Sequence, residues 1–284
     1  MGSYLLVPAG PGIAPGPVPF MVERCATARV SIRLRAAAEI PDGFCLISAG
    51  PFVSGGDPLA FGAALRRVVE LPDFALARYP VTCAEYLSFV NALAAVDPEG
   101  AQRRVPRSEP RGGWYWEPGA SGRYALPLSD RGGVAWDPRW PVTGVSFDDA
   151  VAYADWVAEV TRLQVRLPTD LEWEKAARGA DGRSFPWGNA FDPTFCKMWS
   201  SRPGKKGIEP IGTFPTDESV YGVRDLAGGV QDWVDAYTDR EANIRVRMGG
   251  SWRVSAHACR AACRYGWPPE AVYPDLGFRL ALSL

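Results

Sequence analysis

The sequence predicts an α+β domain in which short capped helices and short strands are joined by long ordered loops. Three observations point there. Thirty glycines and 26 prolines among 284 residues demand much irregular backbone with defined turns. Eleven tryptophans supply large rings that anchor such backbone by burial. Three segments carry helix caps, whereas the chain from Phe185 onward reads as strands and turns, with no strong helix until Arg260.

Taken in order, residues 1–40 form a strand-forming extension. Gly- and Pro-rich sequence to Pro19 leads into Cys25–Arg35, whose apolar/polar alternation predicts a half-buried strand. A strand at Phe44–Ser48 and a turn-rich Gly50–Pro58 follow. Thr82 caps a helix through Tyr86, Phe89, Val90 and Leu93 at helical spacing. Residues of about 96–140, rich in Arg, Gly, Pro and Trp, read as an ordered surface loop region. Ser146 caps the helix that starts at Phe147; Asp149 completes a capping box and Asp148 suits the positive end of the helix dipole. Thr169 and Glu172 form a stronger capping box for the helix to Arg178.

Composition narrows the function. A formal net charge of −1 gives no field that would steer the chain to nucleic acid or to an anionic membrane. No apolar run is long enough to span a bilayer. The first ten residues lack the basic region of a secretion signal, so a cytoplasmic location and reduced thiols are expected. The six cysteines, Cys25, Cys45, Cys83, Cys196, Cys259 and Cys263, show no paired CxxC spacing. His257 is the single histidine, which excludes sites that need two imidazoles.

Six segments, in order, resemble one family. They are Phe44–Gly56; Arg78-Tyr-Pro-Val-Thr-Cys-Ala-Glu-Tyr86; Pro141-Val-Thr-Gly-Val-Ser-Phe-Asp-Asp-Ala150; Arg166-Leu-Pro-Thr-Asp-Leu-Glu-Trp-Glu-Lys-Ala-Ala-Arg178; Tyr221-Gly-Val-Arg-Asp-Leu-Ala-Gly-Gly-Val-Gln-Asp-Trp233; and Gly249-Gly-Ser-Trp252 with Gly277-Phe-Arg-Leu280. Over residues 41–284 the chain resembles the formylglycine-generating, or sulfatase-modifying, enzyme superfamily. The resemblance implies a decorated C-type lectin-like fold with a mixed sheet, two main helices and long loops.

Fold does not fix function, so each site residue is carried over separately. The family's enzymes hold copper between two cysteines after the Gly-Gly-Ser-aromatic motif. Those positions fall on Val254 and Cys259, so one of the soft thiolates that copper(I) needs is missing. Cys263, four residues beyond Cys259, would share a face with it on a short helix. The resemblance therefore implies a catalytically inactive member, with copper-dependent oxidation the lesser alternative. It also implies a structural calcium ion held by the carboxylates of Asp225 and Asp232 and by the carbonyls of Gly228 and Val230. A second calcium site of the family finds no oxygen ligands in Pro203–Gly207.

The C-terminal segment resembles a narrower group, the variable proteins of diversity-generating retroelements. Gly249–Trp252, Ala256, Cys259–Ala262, Arg264 and Gly277–Arg279 fall at that group's fixed positions. The remaining positions within 253–275 would be changeable. From them the resemblance implies a ligand-binding surface of Arg253, Val254, Ser255, His257, Ala258, Tyr265, Gly266, Trp267, Ala271, Val272 and Tyr273, with a macromolecular partner. These side chains should be exposed, over buried Trp252, Cys259 and Phe278. Adenine changes in an AAC codon cannot produce Trp267 or Glu270, so both need another origin. A second reading stays open: Asp192–Met198 and Phe214–Gly222 resemble sensor domains found behind bacterial Ser/Thr kinases, although no kinase signature is present.

Overall fold

Local capping chemistry sets the helices, and close glycine contacts let the strands and loops pack around them. The computed structural model describes residues 2–130, 132–204 and 207–284. Lys205 and Lys206 of the Pro203–Gly207 stretch lie outside the described residues.

The chain opens with strands β1 (Gly2–Leu6), β2 (Val18–Val22), β3 (Phe44–Ile47), β4 (Gly50–Ser54), β5 (Arg67–Leu71) and β6 (Phe74–Ala77). Helices α1 (Cys83–Ala94) and α2 (Pro98–Arg104) follow, then the hairpin β7 (Arg107–Glu109) and β8 (Gly112–Trp114). Next come α3 (Phe147–Thr161), β9 (Val165–Arg166) and α4 (Asp170–Arg178). The last strands are β10 (Gln231–Asp239), β11 (Ile244–Met248), β12 (Arg264–Trp267), β13 (Leu276–Phe278) and β14 (Ala281–Ser283). One antiparallel sheet has the order β3-β6-β14-β9; the other, β12-β11-β10-β13, is mixed because β10 and β13 run parallel.

All three expected caps form. Thr82, Ser146 and Thr169 each accept the N–H of the residue three on, and Glu85, Asp149 and Glu172 return the bond. Each such cap contributes about 1 kcal/mol. Helices α1 and α3 bury one face in an aromatic core, where Tyr86 stacks on Tyr153 at 5.5 Å and Phe278 meets Tyr153 edge-on at 5.4 Å. Trp173 of α4 fills a second core with Ile47, Phe74, Leu76 and Met248. Buried Arg279 ties the elements together: it bonds Asp232 at 2.6 Å and the carbonyls of Arg224 and Asp225 at 3.0 and 2.7 Å.

Four expectations are corrected. Cys25–Arg35 is not a strand; its residues are mostly exposed, and an alternating segment that meets no sheet edge gains nothing from extended backbone. The pairing in this region is between β1 and β2. The 96–140 stretch contains α2, capped by Asp97 with Pro98 in the first turn, and the β7–β8 hairpin. Beyond Arg260 no helix forms: a 3₁₀ turn at Ala256–Cys259 gives way to β12. Cys259 and Cys263 therefore do not share a helical face.

Candidate functional site

The C-terminal segment rests on a floor of tethered, buried residues. A Cβ at Gly250 would lie 2.2 Å from the Ala227 carbonyl and 2.9 Å from Cys259 Sγ, so only glycine allows this approach. Ser251 donates to Asp275 at 2.7 Å, and the Gln231 backbone N–H donates to the Asp275 carbonyl at 2.9 Å. Arg260 bonds Asp57 and Ser184, each at 2.7 Å. Arg264 bonds Asp170 at 3.2 Å and Glu174 at 2.7 Å. Cys259, Ala261 and Ala262 are buried beneath.

Above this floor the edge strand β12 carries Tyr265 and Trp267 on alternate positions. Arg247 of β11 pairs directly with Tyr265. Its guanidinium lies 5.2, 5.0 and 5.9 Å from the ring centres of Tyr265, Trp267 and Tyr273. Trp267 and Tyr273 are 4.9 Å apart, and Phe61 stacks on Tyr265 at 4.9 Å with planes 10° apart. The Arg247 side chain also donates to Gln231. Burial lowers the Arg247 pKa despite the opposing Asp275, Tyr265 and Tyr273, and burial raises that of the Tyr265 hydroxyl. Charge held over ring faces in a desolvated setting is worth about 2 kcal/mol. Phe61, at 64% exposure, and Arg247 carried no signal in the C-terminal motif, because both come from other parts of the chain.

The remaining positions divide. Arg253, Ser255, His257 and Gly266 are exposed; Val254, Tyr265, Trp267, Ala271 and Tyr273 are half-buried. Ala258 and Val272, expected on the surface, are buried at 9% and 6% exposure. Ala258 closes the 3₁₀ turn by donating to the Ser255 carbonyl at 3.0 Å. Val272 lies between the Pro268–Ala271 and Tyr273–Leu276 turns, each closed by a backbone bond. Cys263 is also buried, its thiol 3.2 Å from the His257 carbonyl. Trp252, expected in the core, is half-exposed and donates to the Pro274 carbonyl at 3.1 Å. Cys259 and Phe278 are buried. Gly266 is exposed as backbone, yet a Cβ there would sit 2.4 Å from Thr238 Oγ1 and 2.7 Å from Ile244 Cγ2.

Val254 packs against a small cluster that contains Phe185, Cys196, Met198, Ala227 and Cys259. Cys196 thus stands with Cys259 where no motif placed it. Its pKa is raised well above the ordinary thiol range by the Cys259 thiol and by burial.

Three of the four calcium positions, Asp225, Gly228 and Val230, line one small cavity with Lys197 and Glu209, which form a buried ion pair at 3.0 Å. Asp225 accepts from the Gly212 N–H at 2.7 Å, and burial pushes its pKa up to about 6. Asp232 does not line this cavity. Its Oδ2 accepts from Arg279 at 2.6 Å and Trp173 at 2.8 Å, while its Oδ1 is buried without a partner. An orphaned carboxylate oxygen beside a turn of backbone oxygens fits a hard cation. Among the described residues, no group of three or more His, Cys, Asp or Glu side chains converges on a metal position. Asp217, unforeseen from sequence, builds the turn by accepting the N–H groups of Leu226, Ala227 and Gly228. Burial, then the nearby Asp225 charge, pushes its pKa up to about 8.

The family model of the sulfatase-modifying factor enzyme 1-like domain matches residues 33–284. The chain is 31% identical over 253 residues to the inactive C-alpha-formylglycine-generating enzyme 2 of Mus musculus, covering 78% of this chain and 79% of that protein. It is 30% identical over 304 residues to the formylglycine-generating enzyme of Thermomonospora curvata, covering 87% and 95%. Among solved structures, PvdO from Pseudomonas aeruginosa superimposes with a TM-score of 0.66 at 22% identity, covering 85% of this chain and 94% of that one. Treponema denticola variable protein 1 gives 0.60 at 20% identity, covering 84% and 94%. These structural likenesses establish the fold, an α+β C-type lectin-like fold of the formylglycine-generating enzyme type. Among the described residues no helix is long and apolar enough to cross a membrane.

Proposed function

The chain belongs to the sulfatase-modifying factor enzyme 1-like family, and from that premise we propose that it is a non-catalytic binding protein. Its proposed surface comprises Arg253, Val254, Ser255, His257, Tyr265, Gly266, Trp267, Ala271 and Tyr273, with Ala258 and Val272 supporting it from beneath. The observation that carries this reading is the platform of Phe61, Tyr265, Trp267 and Tyr273 around Arg247. Rigid aromatic rings and arginine dominate the energetic centres of protein interfaces. They offer large contact area with few rotamers to freeze. Val254 in place of a thiol at the first copper position supports the absence of oxidase chemistry, and the relatives include one named inactive. The partner is a protein or another macromolecule, and the segment 253–275 is the diversified part of a retroelement variable protein. A structural calcium ion at Asp225, Gly228, Val230 and Asp232 belongs to the same reading, supported by the unpartnered Asp232 Oδ1.

Sequencing the DNA that flanks the gene tests the retroelement origin. The expected result is a downstream repeat that differs from the 253–275 coding segment at adenines, beside a reverse transcriptase gene. Without that pair, the sensor-domain reading replaces it. An oxidase reading has one observation in its favour, Cys196 beside Cys259. It is tested by incubating the copper(I)-loaded protein with oxygen and a sulfatase-type cysteine peptide. Aldehyde formation at catalytic turnover would overturn the binding-protein proposal; the expected result is none.

A further inference from the structure

A cavity of about 340 Å³ opens beneath the 106–143 segment. Trp114, Trp116, Trp136, Trp140 and Trp252 line it. The rings brace one another: Trp116 and Trp136 meet edge-on at 6.5 Å, and Trp136 and Trp140 are tilted at 5.5 Å. Elsewhere the buried or half-buried indoles satisfy their N–H groups. Trp173 donates to Asp232, Trp233 to the Val145 carbonyl and Trp252 to the Pro274 carbonyl. Trp116 is only 1% exposed, yet its N–H is buried without an acceptor. The Trp136 N–H is likewise buried and unaccepted; the thiol beside it, that of Cys83, is a weak acceptor.

Buried donors without acceptors are rare in native proteins and call for a specific explanation. Both of these belong to rings that wall one cavity, where a bound molecule can supply the missing oxygen. The wall also limits the ligand's charge. Among the described residues its charged group is Asp130, whose carboxylate already accepts the N–H groups of Gly132 and Val134, each at 2.8 Å. A carboxylate or phosphate entering here would be desolvated against aromatic faces without a cation to balance it. The cavity lies at the small end of the range for small-molecule sites, ~300–1,000 Å³.

We propose that this cavity binds an uncharged, flat, mainly apolar small molecule bearing a carbonyl or hydroxyl oxygen. Its body lies against the tryptophan faces, and its oxygen accepts the indole proton of Trp116 or Trp136. The site is separate from the Arg247 platform and holds whether or not that surface binds a partner.

The test uses the full chain labelled with ¹⁵N-tryptophan, whose eleven indole N–H groups each give one correlation peak. Trp116→Phe and Trp136→Phe assign two of them; through-space contacts between the two rings replace any variant that does not fold. Three probes of similar size are titrated: benzamide, benzoate and toluene. Benzamide should move the Trp116 or Trp136 indole proton to lower field, saturably, and bind about tenfold or more tightly than benzoate or toluene. Benzamide that leaves both peaks unmoved up to its solubility limit overturns the proposal. So does benzoate or toluene binding as tightly as benzamide, because the first would remove the charge argument and the second the acceptor argument.

Discussion

Replacing Glu174 by Gln removes one charge from the joint between α4 and the strand that carries the platform. The carboxylate is fully buried. Its Oε1 accepts from the Gly55 N–H at 2.8 Å and from Arg178 at 2.6 Å; its Oε2 accepts from the Ser54 hydroxyl and from Arg264, each at 2.7 Å. Gln keeps the volume and one acceptor, but turns an amide N–H₂ toward groups that are themselves donors. It also leaves the guanidinium groups of Arg178 and Arg264, both buried, without their counter-charge. Removing one partner of a buried ion pair costs ~3–5 kcal/mol. For a domain of this size that lowers Tm by on the order of 10 °C. Thermal and urea unfolding of both proteins measure it. The pH dependence supplies a second arm. Burial raises the Glu174 pKa, but Arg264, the Gly55 N–H and Ser54 outweigh it and hold the pKa below its ordinary 4.5. A lowered carboxylate contributes stability above its unfolded pKa and loses it as pH falls through the folded one. The gap between wild type and variant should therefore narrow on acidification below pH 4.5. A loss under about 1 kcal/mol, the range of an exposed pair, or a gap constant down to strongly acid pH, would refute the reasoning. Because Arg264 opens β12, the amides of Tyr265 and Trp267 should also exchange faster in the variant.

Three further outcomes are expected. Lys175 is buried with its ammonium on the carbonyls of Ser48 and Gly50, and burial lowers its pKa to about 8. The unfolded chain holds that proton longer, so the urea midpoint should rise between pH 8 and 10.5, and Lys175→Met should abolish the rise. Chelator should lower the Tm of the protein as isolated, because an ion bound only by the folded state stabilises it by mass action. An unchanged Tm together with no calcium by elemental analysis would end the calcium proposal. Gly266→Ala should cost about 1–2 kcal/mol through overpacking against Thr238 and Ile244, with Thr238→Ala recovering part of it; a neutral Gly266→Ala would show that position free to vary.

What was legible in the sequence depended on how local the physics is. A capping box is complete within four residues, so Thr82, Ser146 and Thr169 announce their helices without help from the rest of the chain. The same signal was present but overlooked at Asp97-Pro98, where the helix is a short one in a Pro- and Gly-rich setting. Alternation in Cys25–Arg35 satisfies the side-chain pattern of a strand, yet a strand also needs an edge to bond, and that requirement is non-local. The binding segment shows the same division. Tyr265, Trp267 and Tyr273 stand in the motif, whereas Arg247, which holds them, and Phe61, which extends them, are brought in by sheet register and a distant loop. Asp217 organises the 225–230 turn from outside the motif, and only its three backbone bonds reveal it.

The segment also shows why side chains on it can differ without loosening the fold. Ser251, Arg260, Arg264 and Asp275 are each fixed by side-chain bonds to partners beyond their immediate neighbours, and Cys259, Ala261 and Ala262 are packed below. Arg253, Ser255 and His257 alternate with these tethers and face solvent, so their replacement leaves the tethers intact. Surface changes of that kind usually alter stability by about 0.5 kcal/mol or less. The tolerance is not uniform. Ala258, Val272 and Cys263 are enclosed, and Gly266 has neighbours where a side chain would begin. The surface open to change is therefore two stretches, Arg253–His257 and Tyr265–Tyr273, each interrupted by positions that the packing holds fixed. Its aromatic half gains rigidity from Arg247, a residue outside the segment that stays in place whatever the segment carries.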